Sequence, residues 1–369
     1  MKEINSTTEW KICSTVDTVF WKEYLMISNP LLKKRFKIKT DSFIEYLIST
    51  HQEGIEQFGH IQAYLQEKGF LDPSVGEYDA NQIKHWIDRG WYDSLIYLMW
   101  SKTPNFIDDN DNDGRLRRNL IESYIKDEGP PKRVFTNDSK VRISLPNPKK
   151  AEQSNHFQSD IKGTLFNRRT QRIFSGDKIT EEILSYVMWN GLKRVRSIRK
   201  LTYEDPLDYF GSHGTEFDFI LVIYGIEGIT KGIYLYDILQ NSLSLVKEGD
   251  FREVLVKGLW DHKAPMSATH TILFVSDFGQ YQWRYRHERA LRNIFIEAGR
   301  IAQRLIIEGE RLGIGSLPTP ATRDTLLENL LDLDRSKQFV VYTLTMGKKV
   351  TLKGNMPKGK NELEWVREI

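Results

Sequence analysis

Residues 166–174 read Phe-Asn-Arg-Arg-Thr-Gln-Arg-Ile-Phe, so three guanidiniums (Arg168, Arg169, Arg172) and the Thr170 hydroxyl fall within five positions. A phosphate monoester needs several charge-assisted donors from one short stretch, and each Arg can supply two parallel ones. Composition alone favours the plainer reading, a solvated basic turn. A second cluster, Asp109-Asn110-Asp111-Asn112-Asp113-Gly114, matches the first half of a calcium-binding loop. Its twelfth position is Leu120 where a bidentate Glu is required, and Arg115, Arg117 and Arg118 repel a cation, so it reads as an acidic loop. One cysteine, Cys13, excludes an intrachain disulfide and a multi-cysteine zinc site. The eight histidines form no metal-binding pattern. Gly313-Ile314-Gly315 runs into Pro318 and does not make a dinucleotide fingerprint, and no nucleophile elbow supports a hydrolase.

The elements that must position these residues fall into blocks. The chain is 369 residues long, enough for two ordinary domains, and 53 basic against 50 acidic residues give a net charge of +3, too balanced to demand a polyanion. The longest apolar-rich stretch, 217–226, is far short of the ~20 residues of a spanning helix. With no signal peptide at the start, a cytoplasmic location without membrane attachment is expected. Residues 1–103 read as an N-terminal winged-helix and helical module. In it, 18–28 and 35–39 are expected as short strands, a helix opens at the Ser42-x-x-Glu45 capping box, and another runs from about Gly54 to Lys68. A further amphipathic helix is expected over 79–99. Residues 104–162 read as a linker rich in Pro, Gly and charge, with one helix over 116–125. From 163 to 349 the texture becomes α+β: strands over 217–226, 232–237, 270–276 and 338–346, helices over 180–192, 289–312 and 322–331. Residues 350–369 read as an extended C-terminal arm. Nucleic-acid binding by the N-terminal module would use Lys33-Lys34-Arg35, but Glu53, Glu56 and Glu67 near the second helix argue against it.

The motifs together resemble one family. Arg168-Arg169-Thr170-x-Arg172-x-Phe174, followed by Thr180-Glu181-Glu182, resembles the opening of the nitroreductase superfamily, whose members bind FMN. Four further segments resemble its SagB/McbC-type peptide-tailoring branch in the order 211–214, 231–237, 284–289 and 297–303. These are Gly-Ser-His-Gly, Lys-Gly-Ile-Tyr-Leu-Tyr-Asp, Arg-Tyr-Arg-His-Glu-Arg and Glu-Ala-Gly-Arg-Ile-Ala-Gln. Gly313-Ile314-Gly315-Ser316 then resembles the family's Gly-Leu-Gly-Thr turn. The resemblance implies an FMN-binding nitroreductase-like α+β domain, preceded by a peptide-clamp-like winged helix in which the basic 33–39 strand holds an acidic leader. It places Arg168, Thr170 and Arg172 on the FMN phosphate and ribityl chain, with Arg169 beside them. It sets Ser212 and Gly214 at the ring edge, Gly315 and Ser316 on the pyrimidine side, and Lys348 or Lys349 at the phosphate. It further implies a homodimer with the flavin at the subunit interface, a precursor (leader) peptide as partner, and biosynthetic helper proteins.

The chain departs from the branch at three positions. The Lys-Tyr pair that handles the proton in azoline oxidation is Arg284-Tyr285, the loop Pro is Gly211, and the helix His is Arg300. Arg cannot lose its proton at accessible pH, which leaves Tyr285 as candidate base if Arg284 and Arg286 lower its pKa. Four outcomes stay open: dehydrogenation of a ribosomally made peptide, of the azoline-to-azole type; flavin-dependent hydroxylation of an aromatic side chain such as Trp; an NAD(P)H-dependent nitro- or quinone reductase; and a non-catalytic peptide-binding scaffold.

Overall fold

The computed structural model describes residues 17–21, 24–29, 34–41, 89, 91–101, 115–130, 139, 141–150, 161–204, 213–334 and 337–350. The chain divides into two compact units, residues 1–105 with 287–289, and residues 106–286 with 290–369.

In the first unit, β1 (Asp17–Trp21), β2 (Tyr24–Asn29) and β3 (Lys34–Lys39) form an antiparallel sheet in sequence order. Trp21 pairs with Tyr24. The segment 18–28 is therefore a hairpin rather than the single strand expected, because alternation continues across both arms. Leu25 and Ile27 point into the core, while Arg35, Lys37 and Lys39 line the outside of β3. Of the helix expected over 79–99, the described part is α1 (Tyr92–Ser101). The two helices expected between 42 and 69, on which the winged-helix reading depends, lie outside the described residues, as do the acidic loop 108–114 and residues 351–369.

The second unit begins with α2 (Arg115–Glu128), β4 (Arg142–Ser144), α3 (Ile161–Asn167), α4 (Glu181–Gly191) and α5 (Lys193–Glu204). It continues through β5 (Phe217–Ile223), β6 (Gly232–Asp237), β7 (Ser242–Glu248), α6 (Arg252–Gly258), α7 (Ala264–Ser267) and β8 (His270–Asp277). It closes with α8 (Phe278–Arg284), α9 (Ala290–Arg311), β9 (Ile314–Thr319), α10 (Asp324–Leu331) and β10 (Gln338–Lys348). Seven strands make one sheet in the order β4-β7-β6-β5-β8-β10-β9, with every neighbouring pair antiparallel.

Helices cover both faces, which is why β5, apart from Asp218, is apolar on both faces instead of alternating. Phe217, Phe219, Leu221 and Ile223 face one core with Leu184 and Met188 of α4 and Ile301 and Leu305 of α9. Ile220 and Val222 face the other, with Leu255, Ala264, Leu327 and Leu331 from α6, α7 and α10. Helices α4 and α9 touch at Gly191, where a Cβ would stand 2.6 Å from Leu305 Cδ2.

Within the expected linker over 104–162, helix α2 and strand β4 are described. Strand β4 pairs with β7 through Arg142 and Ser244, and Glu128 of α2 lies 2.8 Å from Arg286. A three-residue edge strand is too short for alternation to register, so the flanking turn signals dominate the sequence. Among the described residues no helix is long and apolar enough to cross a membrane.

Candidate functional site

The basic segment is built onto the free edge of the sheet. Helix α3 ends as Arg168 N–H donates to Thr164 O (3.0 Å), and Thr170 then forms a parallel bridge with Ser316 of β9. Gln171 N–H donates to Ser316 O (2.8 Å) and Ser175 N–H to Lys348 O (2.9 Å). Such an approach requires Gly315, since a Cβ there would lie 2.5 Å from Gln171 Cγ. Arg168, Arg169, Thr170, Arg172, Gly315, Ser316, Lys348 and Lys349, drawn from both ends of the stretch 168–349, thus meet at one end of β9 and β10.

Their charges are not equivalent. Arg169 turns back on its own chain, donating to Phe166 O (3.0 Å) and Arg168 O (2.9 Å). Lys349 is bound to the buried carboxylate of Glu310, and Lys348 lies 3.5 Å from Asp177. Among the described residues, no ion pair or hydrogen bond engages the side chain of Arg168 or Arg172. Beside them the Ser316 Oγ is buried without a partner. A buried hydroxyl without a partner costs free energy, and two uncompensated guanidiniums next to it form a receptor for an anion with several acceptor oxygens.

A second cluster gathers where the chain enters β5. Ser212 lies outside the described residues. Gly214 has φ +86°, and a Cβ on it would lie 2.6 Å from Ile301 Cδ1 and 3.2 Å from Val195 Cγ2, so the loop is wedged between α9 and α5. Tyr285 follows α8, whose first turn is capped by the Asp277 carboxylate accepting from Gln280 N–H (3.2 Å). The Tyr281 and Tyr285 rings are 4.8 Å apart, and the Arg284 guanidinium sits 5.4 Å from the Tyr285 ring centre. Arg286 does not join them. Its guanidinium lies 3.5 Å over the Tyr124 ring and pairs with Glu128, so of the two expected neighbours only Arg284 flanks Tyr285.

Sequence reasoning missed Glu216, which immediately precedes β5. It is almost fully buried, and burial pushes its carboxyl up to about 8. The charge of Glu297 adds to the rise, while the N–H groups of Glu216 and Gly214 and the Arg199 guanidinium oppose it. The only signal was a charged residue abutting a strand that is apolar apart from Asp218. Burial likewise holds Tyr281 above the ordinary tyrosine range. It also lowers His213, an effect to which Arg194 contributes, whereas Glu297 opposes it.

The two clusters lie at opposite ends of the sheet. Phe217 pairs with Ser276, which pairs with Phe339; Ser316 pairs with Met346. Seven residues of β10 separate the two levels, about 20 Å at ~3.3 Å each. Along α9, Glu297 beside His213 and Glu310 beside Lys349 stand 13 residues apart, again about 20 Å at ~1.5 Å per residue. Within one chain the phosphate-type residues and the Gly214–Tyr285 group do not meet.

The model of the nitroreductase family matches residues 165–348. These residues are a nitroreductase family domain. A curated relative, the trifolitoxin operon protein TfxC of Rhizobium leguminosarum bv. trifolii, is 27% identical over 294 residues, covering 77% of this chain and 79% of its own length. Among solved structures, a candidate nitroreductase from Anabaena variabilis is similar with a TM-score of 0.42 and 18% identity over 68% of this chain. The match spans about half (49%) of the Anabaena protein. The E. coli microcin synthetase McbBCD complex, with truncated pro-MccB17 bound, contains a chain matched at a TM-score of 0.37 and 13% identity, over 68% of this chain and 99% of that one.

Proposed function

We propose that the chain is an FMN-dependent oxidoreductase that oxidises a residue of a ribosomally made precursor peptide. The observation that carries the flavin reading is the convergence of uncompensated Arg168 and Arg172 with the partnerless Ser316 hydroxyl at a glycine-opened strand edge. Those residues fit a nucleotide phosphate and its ribityl chain, with Thr170 between the two guanidiniums. FMN bound there would supply two-electron hydride chemistry. This chain's own residues bind its phosphate and present Tyr285 to hold or accept a proton at its hydroxyl.

The 20 Å gap between the clusters supports a homodimer, in which the Gly214–Tyr285 end of one copy completes the site begun by Arg168–Arg172 of the other. Kinship to a protein of a toxin operon supports the peptide substrate, with the N-terminal unit holding the leader. Because Arg284 stands where the branch has a lysine, Tyr285 is the residue on which dehydrogenation depends, and Tyr285→Phe tests it. Purified protein incubated with a candidate precursor and analysed by mass spectrometry should yield a peptide lacking two hydrogens. A peptide gaining one oxygen would instead assign hydroxylation. Colourless protein that leaves every peptide unchanged would refute the reading.

A further inference from the structure

Tyr285 stands where helix α8 gives out. Its N–H still donates to Tyr281 O (2.9 Å), but its own backbone is already extended, at φ −115° and ψ 95°. A reacting side chain at such an exit keeps its aim only if its chain neighbours are themselves locked by packing.

Both neighbours are locked by one element. Along α2 a single stripe runs through Ile121, fully buried, Tyr124 and Ile125, half-buried, and Glu128, at spacings of three and four. Tyr124 and Glu128 are one turn apart, so one guanidinium can meet both. Arg286 does so, 3.5 Å over the Tyr124 ring and 2.8 Å from the Glu128 carboxylate. Its Nε also donates back to Trp283 O (3.4 Å), closing a turn around Arg284 and Tyr285. Trp283 is buried and meets the same Tyr124 edge-on, with ring centres 6.0 Å apart. The chain is thus held to α2 on either side of Tyr285, while the Tyr281 ring, 4.8 Å away, holds it from within α8.

Arg286 and Glu128 are both partly exposed, and a partly exposed ion pair contributes little stability by itself. What the three contacts supply together is a fixed position. A displacement of about 1 Å at a group that handles a proton can cost about a hundredfold in rate.

We propose that helix α2 is a strap that positions Tyr285 for proton transfer, with Tyr124 and Glu128 as its positioning residues acting through Trp283 and Arg286. The inference deepens the peptide-oxidation reading and rests on it for the role of Tyr285.

The test uses the full-length, flavin-loaded chain. Nitration by tetranitromethane, located by peptide mapping, reads the surroundings of each tyrosine without any peptide substrate. Tyr124→Ala should raise nitration of Tyr285 severalfold and leave that of Tyr24, an exposed tyrosine of β2, unchanged. With the precursor peptide that the wild type oxidises, Tyr124→Ala should lower kcat on the order of tenfold and keep KM within about twofold. Tyr124→Phe keeps the ring over Arg286 and should behave as wild type, which together with unchanged flavin content guards against a folding defect. On the residual rate of Tyr285→Phe, Tyr124→Ala should have no further effect, because both act through one hydroxyl. Unchanged nitration of Tyr285 in Tyr124→Ala overturns the proposal. So does a loss of kcat that adds in full to that of Tyr285→Phe, or one that Tyr124→Phe shares. A wild type that oxidises no peptide refutes the oxidation reading instead, and the nitration result alone then decides whether α2 holds Tyr285.

Discussion

Replacing Glu216 by Gln removes one buried titratable group while keeping its shape. In the folded chain the carboxyl titrates at about 8 rather than at 4.5, mainly through burial. For an acid whose folded pKa is raised, the unfolded chain releases the proton first. Stability is then fully present below about 4.5 and falls as pH rises towards 8. Each pH unit in that window is worth about 1.4 kcal/mol, so from about pH 5.5 to about pH 7.5 this group alone removes roughly 3 kcal/mol. The groups facing Glu216 are Glu297 on α9, Tyr281 on α8 and Arg199 on α5. They stay in place in the variant, so its pH profile differs from wild type by the Glu216 contribution. Urea unfolding of both proteins, followed by tryptophan fluorescence at the two pH values, measures it. The wild type should lose roughly 3 kcal/mol more than Glu216→Gln between them. Parallel losses in the two proteins would refute the assignment of a buried, protonated Glu216.

Two further predictions concern other parts of the domain. His270 is buried, its Nε2 has no partner, and burial lowers its pKa to about 4. Its neutral form therefore contributes stability above 6.5 that is lost as pH falls through 4, about 3 kcal/mol in all. His270→Phe should flatten the acid limb of the unfolding curve, while an unchanged limb would place the titration elsewhere; Thr269 Oγ1 keeps its bond to Met346 O (3.0 Å) in that variant. Gly315→Ala puts a methyl group 2.5 Å from Gln171 Cγ and 3.3 Å from Lys349 Cγ. It should cost about 1–3 kcal/mol of stability and weaken FMN binding by displacing the arginine segment from β9. A calorimetric scan with a flavin titration reads both, and wild-type affinity in the variant would show that the segment is not part of the site.

What the sequence makes legible follows from the length and burial of each element. Strands 217–223, 232–237 and 270–277 are mostly apolar, helix 290–311 carries one long apolar face, and turn residues bound them, so their patterns are unambiguous. Strand β9 is less so. Gly313, at φ +75°, takes the turn, and Gly315 and Ser316 already lie in the strand, a division that the spacing of the glycines does not reveal. Strand β4 escapes because three residues carry no period. Types and spacing marked Arg168, Thr170 and Arg172 as a candidate anion-binding stretch, but a solvated basic turn has the same composition, and only the family resemblance gave the stretch an expected ligand. Three features were hidden because each depends on contacts between residues far apart in the chain: the neutralisation of Lys349 by Glu310, the diversion of Arg286 to Tyr124 and Glu128, and the burial of Glu216.

The central claim is that the strand-edge arginines hold the phosphate of FMN. Titrating flavin-free protein with FMN and with riboflavin, following quenching of flavin fluorescence, tests it most directly. FMN should bind far more tightly than riboflavin in the wild type, and Arg168→Ala with Arg172→Ala should bring the two affinities together. Equal affinity of the wild type for both flavins, or an FMN preference untouched by the double substitution, would contradict the account.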